Sequence, residues 1–205
     1  LGLDAVSNGN LQLNFWDGSN ADFSFAQFHF HAPSEHTVNG RNYDLEMHLV
    51  HTYAHNGSQL GAVIGIFLDR EVGGNFDNPL LEQVAKFPAF KMGDTTLPDG
   101  VDLLSFLSLI NMEDYWAYDG SLTTPPCTEG VKWTVIKEVQ PISDEQLLKF
   151  TKLWADKPAF AGGNGNNRMT QQLNGRTVYQ TQKTSAVFSL TGIAASIAAL
   201  SILAW

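Results

Sequence analysis

At 205 residues and 22.5 kDa the chain is long enough to bury one sizeable hydrophobic core and short for two domains. Twelve basic residues against 21 acidic ones give a formal charge of -9, and no two basic residues are adjacent, which argues against nucleic acid as a partner. Cys127 is the only cysteine, so a disulfide within the chain and any Cys-rich zinc or iron–sulfur site are excluded.

The sequence opens on Leu rather than Met, with no basic segment leading into an apolar run, and its start is expected to be a truncation or processing point. Residues 11 to 31 alternate with period two around Asp17-Gly18-Ser19-Asn20, which predicts two strands and a connecting loop. On the second of these, Phe28 and Phe30 take one face while Gln27, His29 and His31 take the other. The Asn39-Gly40 turn leads to a strand over residues 43 to 52, where Asp44, Glu46 and His48 share a face by parity. Leu60 to Leu68 is almost continuously apolar, as a central strand would be.

Asn78 to Phe87 reads as a short helix with Asn78 as cap and Pro79 at its first position, and Asp102 to Ile110 as a second. Strands at Tyr115–Leu122 and Val131–Val139 flank the Thr123-Thr124-Pro125-Pro126 loop. The clearest helix is Ser143 to Leu153, with Ser143 as cap, Gln146 at the capping-box position, and Leu147, Phe150, Leu153 and Trp154 along one side. A Gly/Asn-rich loop follows at residues 162 to 167. The last 20 residues, Ala186 to Trp205, carry no charge and could cross a hydrocarbon core of about 30 Å as a helix. Residues 184–205 are therefore expected to be a transmembrane or lipid-anchor tail on a domain spanning residues 1–183, with a buried terminal helix as the alternative.

Three histidines on two strands are the strongest chemical signal. His29 and His31 project to one face, and a hairpin return can bring His48 opposite them, supplying three neutral nitrogens and leaving a fourth tetrahedral position open for water, as catalytic zinc requires. Gln27 and Glu46 each lie two residues before a histidine, where either can accept a ring N–H and orient the ligand. Zinc lowers the pKa of bound water from about 15.7 to about 7, giving a nucleophile at neutral pH. The pattern itself leaves carbon dioxide, an ester and a peptide open as substrates.

The blocks Gln27-Phe-His-Phe-His-Ala-Pro-Ser-Glu-His-Thr-Val, Glu46-Met-His-Leu-Val-His, Gly65-Ile-Phe-Leu, Ser121-Leu-Thr-Thr-Pro-Pro-Cys-Thr-Glu-Gly-Val-Lys-Trp133, Asn166-Asn-Arg168 and Leu173-Asn-Gly-Arg176, in this order, resemble the alpha-class carbonic anhydrases over about residues 8 to 179. The resemblance implies a mainly β fold, a large twisted and mostly antiparallel sheet with short peripheral helices. It implies reversible hydration of carbon dioxide to bicarbonate and a proton by a hydroxide on Zn2+ held by His29, His31 and His48. Gln27 and Glu46 would support His29 and His48, and the backbone carbonyl of Asn166 would receive the N–H of His31. Thr123 matches the threonine that accepts a hydrogen bond from the hydroxide and donates to the carboxylate at Glu35. Thr124 matches a residue that positions bicarbonate. Val50, Val63, Leu122, Val131 and Trp133 match the apolar wall where carbon dioxide rests. His36 and His51 match structural histidines and are not expected to be ligands.

Several features depart from the family pattern or extend it. The position of the family's proton-shuttling histidine falls at Gly9 or Asn10, and no histidine precedes His29, so proton export is expected to be slow at low buffer. The chain begins later than family members do, and an assembly partner could complete the missing N-terminal part. In secreted and bacterial members a cysteine at this place pairs with one near the N-terminus, so the resemblance implies a disulfide from Cys127 to a cysteine outside this chain and an oxidising compartment. Asn56-Gly57-Ser58 is a glycosylation sequon. Together with the tail, these point to an extracellular, cell-surface or organelle-luminal protein attached to a membrane. Two rivals remain at the level of sequence. One is a catalytically silent scaffold of the same fold. The other is a zinc hydrolase, against which stands the lack of any His-Glu-x-x-His motif.

Overall fold

The computed structural model describes residues 10–14, 20–55, 58–85, 101–152 and 164–181. Its strands are β1 (Asn10–Asn14), β2 (Asn20–His31), β3 (Thr37–Val38), β4 (Arg41–Asn42), β5 (Leu45–His55), β6 (Ser58–Leu68), β7 (Tyr115–Ser121), β8 (Glu129–Gln140) and β9 (Tyr179–Gln180). Seven of them form one sheet in the order β1-β2-β5-β6-β8-β7-β9, and β3 pairs with β4 beside it. Neighbours run antiparallel except β6 and β8, which are parallel. Among the described residues the fold is thus mainly β, a mostly antiparallel sheet with three short helices at its periphery.

Strand period fixes what each face carries. Leu45, Met47 and Leu49 of β5 and Ala62, Ile64, Ile66 and Leu68 of β6 point into the main core, together with the buried residues of the helices. The opposite face carries Glu46 and His48 of β5, and Val63 and Phe67 of β6 join Val131, Trp133 and Val135 of β8 in a second apolar cluster there. Because β6 is the fourth of seven strands and covered on both faces, its sequence is apolar without alternation.

Register places the site. His29 lies directly opposite His48, and His31 opposite Glu46. Between Phe25 and Gln27 the register slips, so that Ala26 is an extra residue in β2 relative to β5. Such a bulge re-aims the strand beyond it, in this case the Gln27–His31 segment.

The helices are α1 (Pro79–Ala85), α2 (Leu103–Ser108) and α3 (Asp144–Thr151). Asn78 caps α1 through its Oδ1, which accepts from Leu80 N at 3.0 Å, and Asp102 caps α2 by accepting from Ser105 N at 2.9 Å. Ser143 caps α3, accepting from Gln146 N at 3.3 Å. The expected reciprocal capping box is absent, because Gln146 turns to another task. Its buried side-chain amide accepts from Asn78 N at 2.8 Å and donates to Asn78 O at 3.0 Å, satisfying two backbone groups that have no access to water. Leu153, Trp154 and Phe87 lie outside the described residues.

Two expectations are corrected. A disulfide needs a second sulfur, which this sequence does not contain, and Cys127 is a free, half-buried thiol. Membrane spanning is likewise not supported, since no helix among the described residues is long and apolar enough to cross a bilayer. Residues 184–205 and the sequon residue Asn56 lie outside the described residues.

The Gln146–Asn78 pair gives a stability prediction. Gln146→Leu keeps the volume of the side chain, strands the Asn78 N–H and leaves Asn78 O with Glu82 N as its donor at 3.0 Å, so urea unfolding should show a loss of about 1–3 kcal/mol. A change under about 0.5 kcal/mol would mean that water reaches these groups.

Candidate metal centre

One nitrogen from each of His29, His31 and His48 lies within 4.8 Å of the others, close enough for one ion to gather them. His29 meets His31 and His48 edge to face, with ring centroids 4.9 Å and 5.1 Å apart, and the rings of His31 and His48 are tilted with centroids 4.7 Å apart. Each ring is held by its other nitrogen. Nδ1 of His29 donates to Gln27 Oε1 at 2.9 Å, Nδ1 of His31 to the Asn166 carbonyl at 3.2 Å, and Nε2 of His48 to Glu46 Oε1 at 2.9 Å. The nitrogens that remain for a metal are therefore Nε2 of His29, Nε2 of His31 and Nδ1 of His48.

The donor set fits zinc on two grounds. Three neutral imidazoles with an open fourth position are the ligand set of a catalytic Zn2+ site. Nε2 of His31 is also buried with no hydrogen-bond partner, an arrangement that costs free energy unless something such as a cation takes its lone pair. Electrostatics keeps the rings of His29 and His31 neutral. Burial, then the neighbouring His48 and His31, lowers the pKa of His29 to about 3, and burial followed by His48 lowers that of His31.

Glu46 is fully buried and engaged at both oxygens. Oε1 accepts from His48 Nε2 at 2.9 Å and from His36 Nδ1 at 2.6 Å, while Oε2 accepts from the backbone N–H groups of Glu35 and His36, both at 2.9 Å. Burial alone would raise its pKa, but the charges of His36 and His48 and their hydrogen bonds hold it well below the usual carboxylate value. His36 responds in the opposite sense. Burial disfavours its charged form, yet the Glu46 charge and hydrogen bond outweigh this and raise its pKa. Its Nε2 lies 2.6 Å from the Tyr118 hydroxyl. His36, Glu46 and His48 could also gather round a cation by distance, but Glu46 is already committed to four donors, and the group is read as a hydrogen-bonded chain supporting His48.

The His31 side of the site depends on a loop far away in sequence. Asn166 grips the end of β2 through its side chain as well as its backbone. Oδ1 accepts from Ala32 N at 2.9 Å, Nδ2 donates to Phe30 O at 3.0 Å, and the backbone N donates to Ala32 O at 3.2 Å. The preceding Gly165 has φ of +148°, and a Cβ there would fall 2.4 Å from Ala32 O, so only glycine lets the loop come this close. Two residues on from Asn166, Arg168 N donates to Glu35 Oε1 at 2.7 Å. Glu35 Oε2 is buried with no hydrogen-bond partner and lies 3.9 Å from His48 Nδ1.

Val63, Val131 and Trp133 are buried beside this centre, with half-buried Val50 and Leu122 packed onto the same cluster. The Trp133 ring lies 4.7 Å from that of His48 and is fixed by a hydrogen bond from Nε1 to Ser121 O at 3.0 Å. Half-buried Thr123 and exposed Thr124 stand on the loop closed by Leu122 N to Thr128 O and Cys127 N to Thr124 O, both 2.9 Å. No hydrogen bond joins the Thr123 hydroxyl to Glu35 here. Asp44 shares parity with Glu46 but precedes β5, and its carboxylate binds Arg70 instead, at 2.9 Å from Nε. His51 is buried among structural contacts, with Nδ1 donating to Leu49 O at 3.1 Å. Of the two shuttle positions, Asn10 lies on β1 opposite Ser24, and Gly9 lies outside the described residues.

The depressed histidines set a pH dependence for the metal-free protein. Folded His29, His31 and His51 refuse protons that their unfolded counterparts accept below about pH 6.5, so stability falls as pH drops below that value, by up to about 1.4 kcal/mol per pH unit for each. His36 has the opposite bias, and its contribution is present in full at low pH and lost as pH rises through its elevated folded value. Urea melts of metal-free protein at pH 7 and pH 5 should show the lower stability at pH 5; equal or greater stability there would contradict neutral, buried imidazoles.

Comparison with known proteins bears on the same residues. The family model described as eukaryotic-type carbonic anhydrase matches residues 5–182. Alpha carbonic anhydrase 4 of Arabidopsis thaliana is 39% identical over 158 residues, which cover 77% of this chain and 54% of the relative. A carbonic anhydrase of Neisseria gonorrhoeae is 34% identical over 185 residues, 87% of this chain and 67% of the relative. Among solved structures, the alpha-carbonic anhydrase of Thermovibrio ammonificans in complex with the inhibitor sulfanilamide matches with a TM-score of 0.61 and 44% identity, over 77% of this chain and 62% of that one. The chain thus spans roughly half to two thirds of the length of these relatives. With the family model matched over most of the sequence, and with three histidines converging from two adjacent strands, the chain belongs to the carbonic anhydrases of the eukaryotic, or alpha, type.

Proposed function

We propose that the chain catalyses the reversible hydration of carbon dioxide to bicarbonate and a proton. The observation that carries this reading is the set of three individually oriented imidazoles, with His31 Nε2 buried and unpartnered, beside an apolar wall. Zn2+ bound by His29, His31 and His48 supplies a Lewis acid that brings the pKa of a water from about 15.7 to about 7.

The protein's own residues divide the remaining work. Gln27, the Asn166 carbonyl and Glu46 fix the three ring orientations, so that no histidine must reorganise during turnover. Val50, Val63, Leu122, Val131 and Trp133 offer a surface suited to an uncharged linear molecule and poorly suited to the charged product, which favours release of bicarbonate. Glu35, anchored at Oε1 by Arg168 N, keeps Oε2 as an open acceptor for the Thr123 hydroxyl. A Thr123 hydroxyl that donates to Glu35 must present its oxygen as an acceptor, which selects for ligands that carry a hydrogen. Thr124, exposed on the same loop, is assigned the task of steadying bicarbonate. The proton leaves without a histidine at Gly9 or Asn10 to carry it.

The purified chain should contain about one zinc and hydrate carbon dioxide, and sulfanilamide should inhibit the reaction. His48→Ala removes a ligand, so it should lose zinc and lower kcat/KM by more than the roughly 10- to 100-fold typical of losing a ligand's supporting partner. Hydration at the same rate in His48→Ala as in wild type would refute the assignment. Under low-buffer conditions, added imidazole should raise turnover; a rate indifferent to it would mean that proton export has another route.

A further inference from the structure

Gly65 lies in the middle of β6, the central strand, directly opposite His48 and in register with Val135 on the other side. Its φ does not lie in the left-handed region, so backbone conformation does not call for glycine. A glycine inside an apolar strand weakens it and often marks a place where another group must come close. The group here is the Glu46 carboxylate. A Cβ on residue 65 would stand 2.8 Å from Glu46 Oε1 and 3.8 Å from its Cδ, whereas Val135 Cγ2, at 3.6 Å, would be in ordinary contact.

From these distances we propose that Gly65 is a positioning residue for the metal centre: the missing side chain is the slot that lets Glu46 hold His48 in its metal-binding orientation. This rests on the reading of His29, His31 and His48 as a zinc site. A carboxylate at the end of a flexible side chain can normally turn aside from a methyl group. Glu46 cannot do so without loss, because the oxygen facing residue 65 is the one that accepts from His48 Nε2 and His36 Nδ1, and the other oxygen is held by the backbone N–H groups of Glu35 and His36. Turning Oε1 away releases His48 Nε2. The tautomer that leaves Nδ1 free for the metal is then no longer fixed, and the ring is free to rotate. Val135, the other residue among the three nearest atoms, would be in ordinary contact with the methyl at 3.6 Å, so the cost falls on the site more than on the packing of the sheet.

The test is zinc affinity, measured by competition with a chromophoric chelator on the full chain, in wild type, Gly65→Ala, Glu46→Asp and the double variant. The carboxylate of Glu46→Asp is one methylene shorter and withdraws from residue 65. We expect Gly65→Ala to weaken zinc binding about 10- to 100-fold in the wild-type background, and the same methyl to cost less than about threefold when Glu46→Asp is already present. Binding within about twofold of wild type in Gly65→Ala, or an equal penalty in both backgrounds, overturns the inference. If Gly65→Ala alone does not fold, recovery of a folded, zinc-binding chain in the double variant supports it, and no recovery overturns it. Should wild type itself fail to bind zinc, the metal-site reading falls and this inference with it; tight zinc binding by wild type together with an indifferent Gly65→Ala defeats the inference alone.

Discussion

A carboxylate sealed from water must find donors for its oxygens or cease to be charged, and the way Glu46 meets that demand organises much of the molecule. Its four donors come from His48 on its own strand and from the backbone and side chain of the segment that leaves β2. Meeting the demand fixes the ring of His48, anchors the turn through Glu35 and His36, and draws His36 to Tyr118 on β7, three strands away from β5 in the sheet. A metal ligand, a half-buried histidine and a strand across the sheet are thereby tied to one charge. Such a network stabilises only when every member is satisfied, and its parts are spread over β5, β7 and the segment after β2.

The two faces of the sheet carry different obligations. The face under the helices is filled by aliphatic side chains that need only volume and burial. The other face carries histidines, a carboxylate and a tryptophan that need orientation as well, and orientation is supplied by hydrogen bonds from neighbouring strand residues such as Gln27, Glu46 and Ser121 and from the Asn166 loop. Mounting three imidazoles on adjacent central strands gives them a rigid base, and the Ala26 bulge marks where β2 shifts its register to deliver them.

Much of this arrangement can be read from sequence, because strand parity is a hard constraint: His29, His31, Gln27, Glu46 and His48 fall on compatible faces once their strands are recognised. Parity fails where a strand ends. Asp44 has the right parity but lies before β5 and pairs with Arg70. Local motifs fail where a distant partner competes. Gln146 occupies a capping-box position, yet its amide serves Asn78, 68 residues away. The link from His36 to Tyr118 depends on the pairing of β7 with β8, which no periodicity within either strand reveals. Gly65 did leave a trace, as one of two glycines, with Gly61, in an otherwise apolar run, though what fills the space beside it is visible only in three dimensions. The disulfide and membrane expectations came from the resemblance and from the composition of the tail, neither of which bears on the packing of the sheet.

The grip of Asn166 and Arg168 on the end of β2 spans 133 to 136 residues. During synthesis the strands bearing the three histidines emerge first and can pair early, since β2, β5 and β6 are neighbours both in the sheet and, apart from the small β3–β4 hairpin, along the chain. His31 and Glu35 obtain their backbone partners only after the loop at 164–168 has left the ribosome and closed that long span. For most of translation the nascent protein carries His29 and His48 beside their own strand partners while His31 still lacks its acceptor, so the last of the three rings is oriented late in maturation.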